Sequence, residues 1–449
     1  MLVKTCVILH FSFMRSLFFV SPTLLLFSMS GLLAGQNLST QEKTIVTAID
    51  EEAPAAVLLL ERIVNMNSGT FNPAGVKQVG DVLETEFKSL GFETRWVSME
   101  AVNRAPHLVA ERKGANGKRV LIIGHMDTVF EPSSPFQKFV RNGDIATGPG
   151  VVDMKGGIVV MLSALKAMHK AGALDGSSIT VFLTADEESV GGPVSREQFI
   201  EAAKNSDAAL CFEAGARDNG KDYASTARRG STTWELRVAG KTGHSSGIFS
   251  ERVGDGAVYE LSRILNAFHD QLREPNLTFS VGVVLGGSEI NLDAGGHGRV
   301  SGKPNIIPGE ALARGDIRAL TSDQLARVKD KMQSILSKNL PGTRAEMKFS
   351  DSYPPMAPTD GNIALLTKLN EANRKLGAPE MEALDPMLRG AGDASFVAPY
   401  VDTLSGLGAN GGGTGGSHAP GESANLARLP LQTKRAALLI YGLTKEPGR

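Results

Sequence analysis

Five short segments carry the residues that could do chemistry: His125-Met126-Asp127, Asp153 in GPGVVDMKGG, the pair Glu187-Glu188, Glu213, and His418 in GGSHAP. Their donor atoms are imidazole nitrogens and carboxylate oxygens, with no thiolate among them. That set suits zinc first, and manganese or cobalt next to it. Two such ions about 3.5–4 Å apart, sharing one bridging carboxylate, form a device for hydrolysis. The set serves two metals only if distant stretches of chain converge, so the elements that position them decide its meaning.

Ligands in open α/β sheets bind beyond the carboxyl ends of the strands. His125 directly follows the apolar run RVLIIG, Glu187-Glu188 follow SITVFLTA and Asp186, and Glu213 follows ALCF. Asp153 opens a helical stretch, where it fits either a helix N-cap or a carboxylate facing two ions. Three consecutive carboxylates are ordinarily a solvated loop. A hydrolase instead needs one carboxylate on the metal and one free to take a proton from water, which assigns Glu188 as ligand and Glu187 as general base. Asp127 is placed to orient His125 from behind. His418 follows GLGANGGGTGG and Ser417; seven of the run's eleven residues are glycine. Such a run fits a flexible linker, or a loop whose bare backbone must approach substrate closely.

Apolar spacing predicts helix from Ile45 to Gly91 and again from Met154 to Ala171, where Gly172 stops it. RVLIIG, SITVFLTA and Ala208–Phe212 read as strands buried on both faces. Strand and helix in alternation predict an α/β fold with a mostly parallel sheet flanked by helices. After Gly230 the character changes. Ser231–Ala239 alternates, with Trp234, Leu236 and Val238 on one side and Thr233, Glu235 and Arg237 on the other. Helices at 253–270 and 322–336 and strands at 278–285, 310–318 and 344–350 complete a smaller α+β sandwich. The expected organisation is a catalytic part over 36–229 and 351–449, interrupted by an inserted lid over 230–350.

Residues 1–35 differ in kind from the rest. Lys4 and Arg15 precede an apolar run from Leu17 to Leu33, and Ala34-Gly35 supply the small residues of a cleavage site. This pattern predicts export to a periplasmic or secreted location, with no membrane attachment once the leader is cleaved. Cys211 would then be the lone cysteine, which excludes an internal disulfide and reads as a core thiol. A net charge of −1 gives no electrostatic case for nucleic acid.

The motifs GHMDTV, GPGVVDMKGG, TADEESVGG, CFEAG and GGSHAP, in this order, resemble the zinc exopeptidases of the carboxypeptidase G, aminoacylase and acetylornithine deacetylase family. The resemblance implies that His125, Asp153 and Glu213 hold one zinc, with Asp153 also reaching a second held by Glu188 and His418. It implies Glu187 as the base and Asp127 as the group orienting His125. GKTGHSSG, PNIIPG and GDIR in the lid extend the match and imply a homodimer through the inserted domain. His244 would then reach a neighbouring active site, with Asn305 and Arg318 holding the substrate carboxylate or the developing oxyanion.

Departures bear on specificity. Carboxypeptidase G has an arginine in the stretch matching SDSYPPMAP, and none is present here. Lys221 is a match for its glutamate-binding lysine, while Arg228, Arg229 and Arg389 are other cations suited to a carboxylate. The expected substrate is a peptide or an N-acyl amino acid. The expected reaction is hydrolysis of an amide beside a C-terminal residue with a free carboxylate. Release of an acyl group from an N-acyl amino acid is the alternative, and a binding protein without catalysis the remote one.

Overall fold

The computed structural model describes residues 38–293 and 296–448. The expected leader therefore lies outside the described residues. Among those described, no helix is long and apolar enough to cross a membrane. The chain begins with helices α1 (Thr40–Val64) and α2 (Pro73–Ser89), then strands β1 (Glu93–Val97), β2 (His107–Arg112) and β3 (Asn116–His125). Helix α3 (Lys155–Lys170), β4 (Ser177–Thr184), α4 (Glu197–Lys204), β5 (Ala208–Cys211), β6 (Ala216–Asp218) and β7 (Lys221–Ala224) follow. The next stretch holds β8 (Ser231–Gly240), α5 (Ala257–Gln271), β9 (Thr278–Gly287), β10 (Glu310–Arg318), α6 (Ser322–Leu336) and β11 (Thr343–Tyr353). The chain closes with α7 (Asp360–Leu376), β12 (Glu382–Ala383), α8 (Ala394–Val397), β13 (Thr403–Ser405) and α9 (Leu429–Leu443).

The main sheet has six strands in the order β1-β2-β4-β3-β5-β13. β4, β3, β5 and β13 run parallel, and β2 joins β4 antiparallel, as does β1 to β2. The parallel core is the part legible as apolar runs. Val120, Leu121, Ile122 and Ile123 on β3 are each at most 1% exposed, as burial under helices on both faces requires. Helix α3 packs against both α1 and α9, and its Ile158, Met161, Leu162, Leu165 and Met168 are fully buried. Each such side chain contributes roughly 1.5–3 kcal/mol relative to exposure.

Two expectations are refined. The helical stretch 45–91 divides at residues 65–72, because Asn72 caps a new helix by accepting the Gly75 N–H and Pro73 sits in its first turn. β1 and β2 escaped the sequence reading because β1, half exposed, offers no continuous apolar run.

The stretch from Ser231 to Tyr353 forms a separate four-stranded antiparallel sheet, ordered β9-β10-β8-β11. Helices α5 and α6 cover one face, burying Trp234, Leu236, Val238, Ile264, Phe268 and Met332 in a core of their own. β8 and β11, the strands by which the chain enters and leaves this unit, pair side by side, with Ser231 opposite Tyr353.

Candidate metal centre

β3 and β4 end at the same edge of the sheet, and one buried carboxylate joins them. Asp127 accepts the peptide N–H of Glu187 on Oδ1 and that of Glu188 on Oδ2, each at 3.1 Å. The Thr70 hydroxyl donates to Oδ2 at 2.6 Å. Asp127 also faces His125 Nδ1, with its carbonyl oxygen at 3.1 Å and Oδ1 at 3.3 Å. Nδ1–H is thereby committed, and Nε2 is left as the ligating atom.

His125 Nε2 lies 3.2 Å from Asp153 Oδ1 and 3.4 Å from Glu213 Oε1. His418 Nε2 lies 3.3 Å from Asp153 Oδ2 and 3.2 Å from Glu188 Oε2. The two oxygens of Asp153 thus face two separate imidazoles. Two triads, His125–Asp153–Glu213 and Asp153–Glu188–His418, each bring their ligand atoms within 4.8 Å of one another. Asp153 is no helix cap: α3 begins two residues later, its N-cap is Met154, and no side chain caps it. Glu187 directs Oε2 toward the same space, 4.0 Å from His125 Nε2.

Several further residues hold this arrangement. Glu422, fully buried, accepts the N–H groups of Gly150, Val152 and Asp153 at 2.8–2.9 Å and so fixes the loop that presents Asp153. Burial pushes the Glu422 carboxyl up to about 7. Ser417 donates to Asp153 Oδ2 at 2.9 Å. Arg228, also buried, pairs with Glu213 at 3.3 Å and donates to the Ala391 carbonyl at 3.2 Å. Tyr353 donates its hydroxyl to the Glu187 carbonyl. Gly413, in the loop before His418, has φ +111°, and a Cβ there would stand 2.2 Å from the Gly421 carbonyl oxygen. That glycine is required for the loop to fold back on itself.

The electrostatics are those of a site built around cations. Burial raises Glu187 and Glu188 well above the usual carboxylate range, and the neighbouring carboxylates add to the effect. Burial alone would depress His125, but its contacts with Asp127, Asp153 and Glu213 hold it well above an ordinary histidine. A donor set of two imidazoles and three carboxylates, converging and short of countercharge, fits a pair of divalent ions.

The cluster opens onto a cavity of about 680 Å³, lined by Asp153, Glu187, Glu188, Glu213 and His418 together with Arg217, Tyr223, Arg318, Leu384, Leu388 and Arg389. Arg318 and Arg389 both line this cavity, and Arg318 also pairs with Asp316 at 2.9 Å. His244 and Asn305 sit together on the lid, where Ser245 N–H bonds the Asn305 carbonyl at 2.9 Å, and neither lines the cavity. His244 is exposed, its Nδ1 2.9 Å from the Ser246 hydroxyl. Lys221 points away to an exposed pair with Glu382. Cys211 is buried and its thiol is pushed up to about 11 by burial, as befits a core residue.

The relatives agree with the geometry. Carboxypeptidase G2 of Pseudomonas sp. (strain RS-16) is 29% identical over 429 residues, spanning 92% of this chain and 95% of that protein. A succinyl-diaminopimelate desuccinylase of Thioalkalivibrio sulfidiphilus is 27% identical, over 76% of this chain and 87% of the relative. The solved structure of the Bacillus subtilis YXEP protein, a dinuclear metal binding peptidase, shares the fold with a TM-score of 0.60. It is 15% identical over 88% of this chain and 99% of that one. The model of peptidase family M20/M25/M40 matches residues 121–441. This chain is a member of that family, a metal-dependent hydrolase of the peptidase and amidohydrolase kind.

Proposed function

We propose that this hydrolase uses two zinc ions to cleave an amide beside a C-terminal amino acid whose carboxylate is free. The observation that carries the reading is Asp153, whose two oxygens each face a different histidine. His125, Asp153 and Glu213 would hold one ion, and Asp153, Glu188 and His418 the other; manganese or cobalt suits the same donors. When bound, the ions supply Lewis acidity to the scissile carbonyl and acidity to water.

The chain's own groups do the rest. Glu187 takes a proton from water and returns it to the departing amine. Asp127 holds the Glu187 and Glu188 peptides and His125 in one frame, so base and ligands keep a fixed spacing. Arg318 and Arg389 receive the free carboxylate at the cavity wall. His244 and Asn305, distant from this cavity on the lid, would serve the active site of a second copy in a homodimer joined through the lid. The deacylase reading stays attached to the likeness to a desuccinylase, since cleavage of an N-acyl amino acid uses the same groups. Export of the mature enzyme, with loss of the leader, completes the proposal.

Glu187→Gln tests the reading. Zinc content measured on the purified variant should equal that of the parent, while hydrolysis of dipeptides and N-acetyl amino acids should fall by about 10²–10⁴. Parental turnover by that variant would overturn the assignment, and the ratio between the two substrate types in the parent decides between peptidase and deacylase.

A further inference from the structure

Around the end of β4, where Glu187 stands, lies a buried polar network. Thr184 gives its hydroxyl to Asp393 Oδ2, and the Ala185 N–H donates to His107 Nδ1 at 3.1 Å. His107 Nε2 lies 2.9 Å from the Ser195 carbonyl oxygen and so carries the proton. Burial lowers this imidazole to about 4, which keeps it neutral and Nδ1 able to accept. Asp186 accepts the Ser195 hydroxyl at 2.6 Å and the Gly191 N–H at 2.8 Å on Oδ2. Its Oδ1 takes Arg196 Nη1 at 2.6 Å.

These tethers meet at Arg196, at the head of α4. It is 1% exposed and lies between Asp186 and Asp393, which are as deeply buried. While Nη1 holds Asp186, Nε and Nη2 hold Asp393 Oδ1 at 3.0 and 2.8 Å. Asp393 directly precedes α8, yet no side chain caps that helix; its carboxylate is given to Arg196 and Thr184 instead. The two acids belong to distant stretches of chain. Asp186 immediately precedes Glu187, and Asp393 immediately follows Gly392, where an added Cβ would stand 3.3 Å from Glu187 Oε1. One guanidinium thus joins the strand end that carries Glu187 to the loop that faces its carboxylate. Packing alone does not call for such a group, because buried charges are costly to desolvate and apolar residues fill a core as well or better.

Resting on the amide-hydrolase reading above, we infer that Arg196 is a positioning residue for Glu187: it sets the gap between strand end and loop in which the carboxylate of the base stands. A planar fork engages two carboxylates in fixed directions, which an ammonium does not reproduce.

Arg196→Lys keeps the charge and loses the fork. In the zinc-loaded full-length enzyme, assayed on dipeptides and N-acetyl amino acids, it should lower kcat about 10–100-fold, with KM and zinc content near parental. The deciding comparison is a cycle with Glu187→Gln. If Arg196 acts through the base, Arg196→Lys lowers the residual kcat of Glu187→Gln by less than about twofold. A parental kcat in Arg196→Lys, a loss that follows zinc content, or the same loss in both backgrounds overturns the role. Parental turnover by Glu187→Gln removes the base itself, and this inference with it. Should Arg196→Lys fail to fold, Asp393→Asn takes its place in the cycle; Arg196 and Asp186 then balance in charge, and the Thr184 hydroxyl turns to accept from the new amide. Crystal structures of parent and variant judge the placement without turnover. Glu187 Oε2, 4.0 Å from His125 Nε2, should move by about 0.5–1 Å while both ligand triads hold. If no amide is cleaved, the amide-hydrolase reading falls, yet that movement still supports the positioning role, and an unmoved carboxylate removes it.

Discussion

Gly392 stands where the base and its surroundings are closest. A Cβ built on it would lie 2.1 Å from Arg228 Nη1 and 3.3 Å from Glu187 Oε1. Arg228 is buried and tied to Glu213, so it has no free space into which to retreat. Gly392→Ala should therefore displace Arg228, and with it Glu213. The expected cost is about 1–3 kcal/mol of stability by urea unfolding, with weakened zinc affinity in the same variant. Unchanged values of both would show that the contact relaxes freely. At this scale the sequence spoke through residue type and place: His125, Glu188 and Glu213 each continue an apolar strand, where a polar side chain invites explanation. Glu422 gave no such signal. Its partners lie far away in sequence, Asp153 by 269 positions, and no local pattern encodes such a contact.

One of the two strands at the boundary of the inserted unit bears directly on Glu187. Tyr353 ends β11, packs against Phe396 with ring centres 5.2 Å apart and planes tilted by 51°, and holds the Glu187 carbonyl through its hydroxyl. A shift of the lid would therefore be felt at Glu187. Tyr353→Phe keeps the ring packing and removes the bond, whose net worth is about 0.5–1.5 kcal/mol. We expect kcat to fall about tenfold, as misplacement of a catalytic group allows, with KM and zinc content near parental. A parental kcat would mean that Glu187 needs no such support. Elements were legible where periodicity was strong: the parallel strands, α3, and the alternating β8 with its inward Trp234, Leu236 and Val238. They were not where pairing alone defines them, as in β6, β7 and β12, whose two to four residues form a small sheet of their own.

The candidate metal centre draws its residues from both sides of the inserted unit, so a bound ion would tie the two stretches together. His418 is 58% exposed on a glycine-rich loop and meets the body through Asp153 and Glu188. Zinc at about a thousandfold excess over its dissociation constant should add about 4 kcal/mol to stability. Chelation should accordingly lower Tm, and limited proteolysis should then cut first between residues 411 and 421. A Tm indifferent to chelator would indicate that the protein ligands hold no ion that matters to the fold.

The dependence of Asp153 on Glu422 has a consequence for biosynthesis. Glu422 follows Asp153 by 269 positions, and His418 stands just before it, so a nascent chain that has released Asp153 still lacks both its brace and one imidazole partner. On the proposed reading, metal uptake waits until both of these segments have been made.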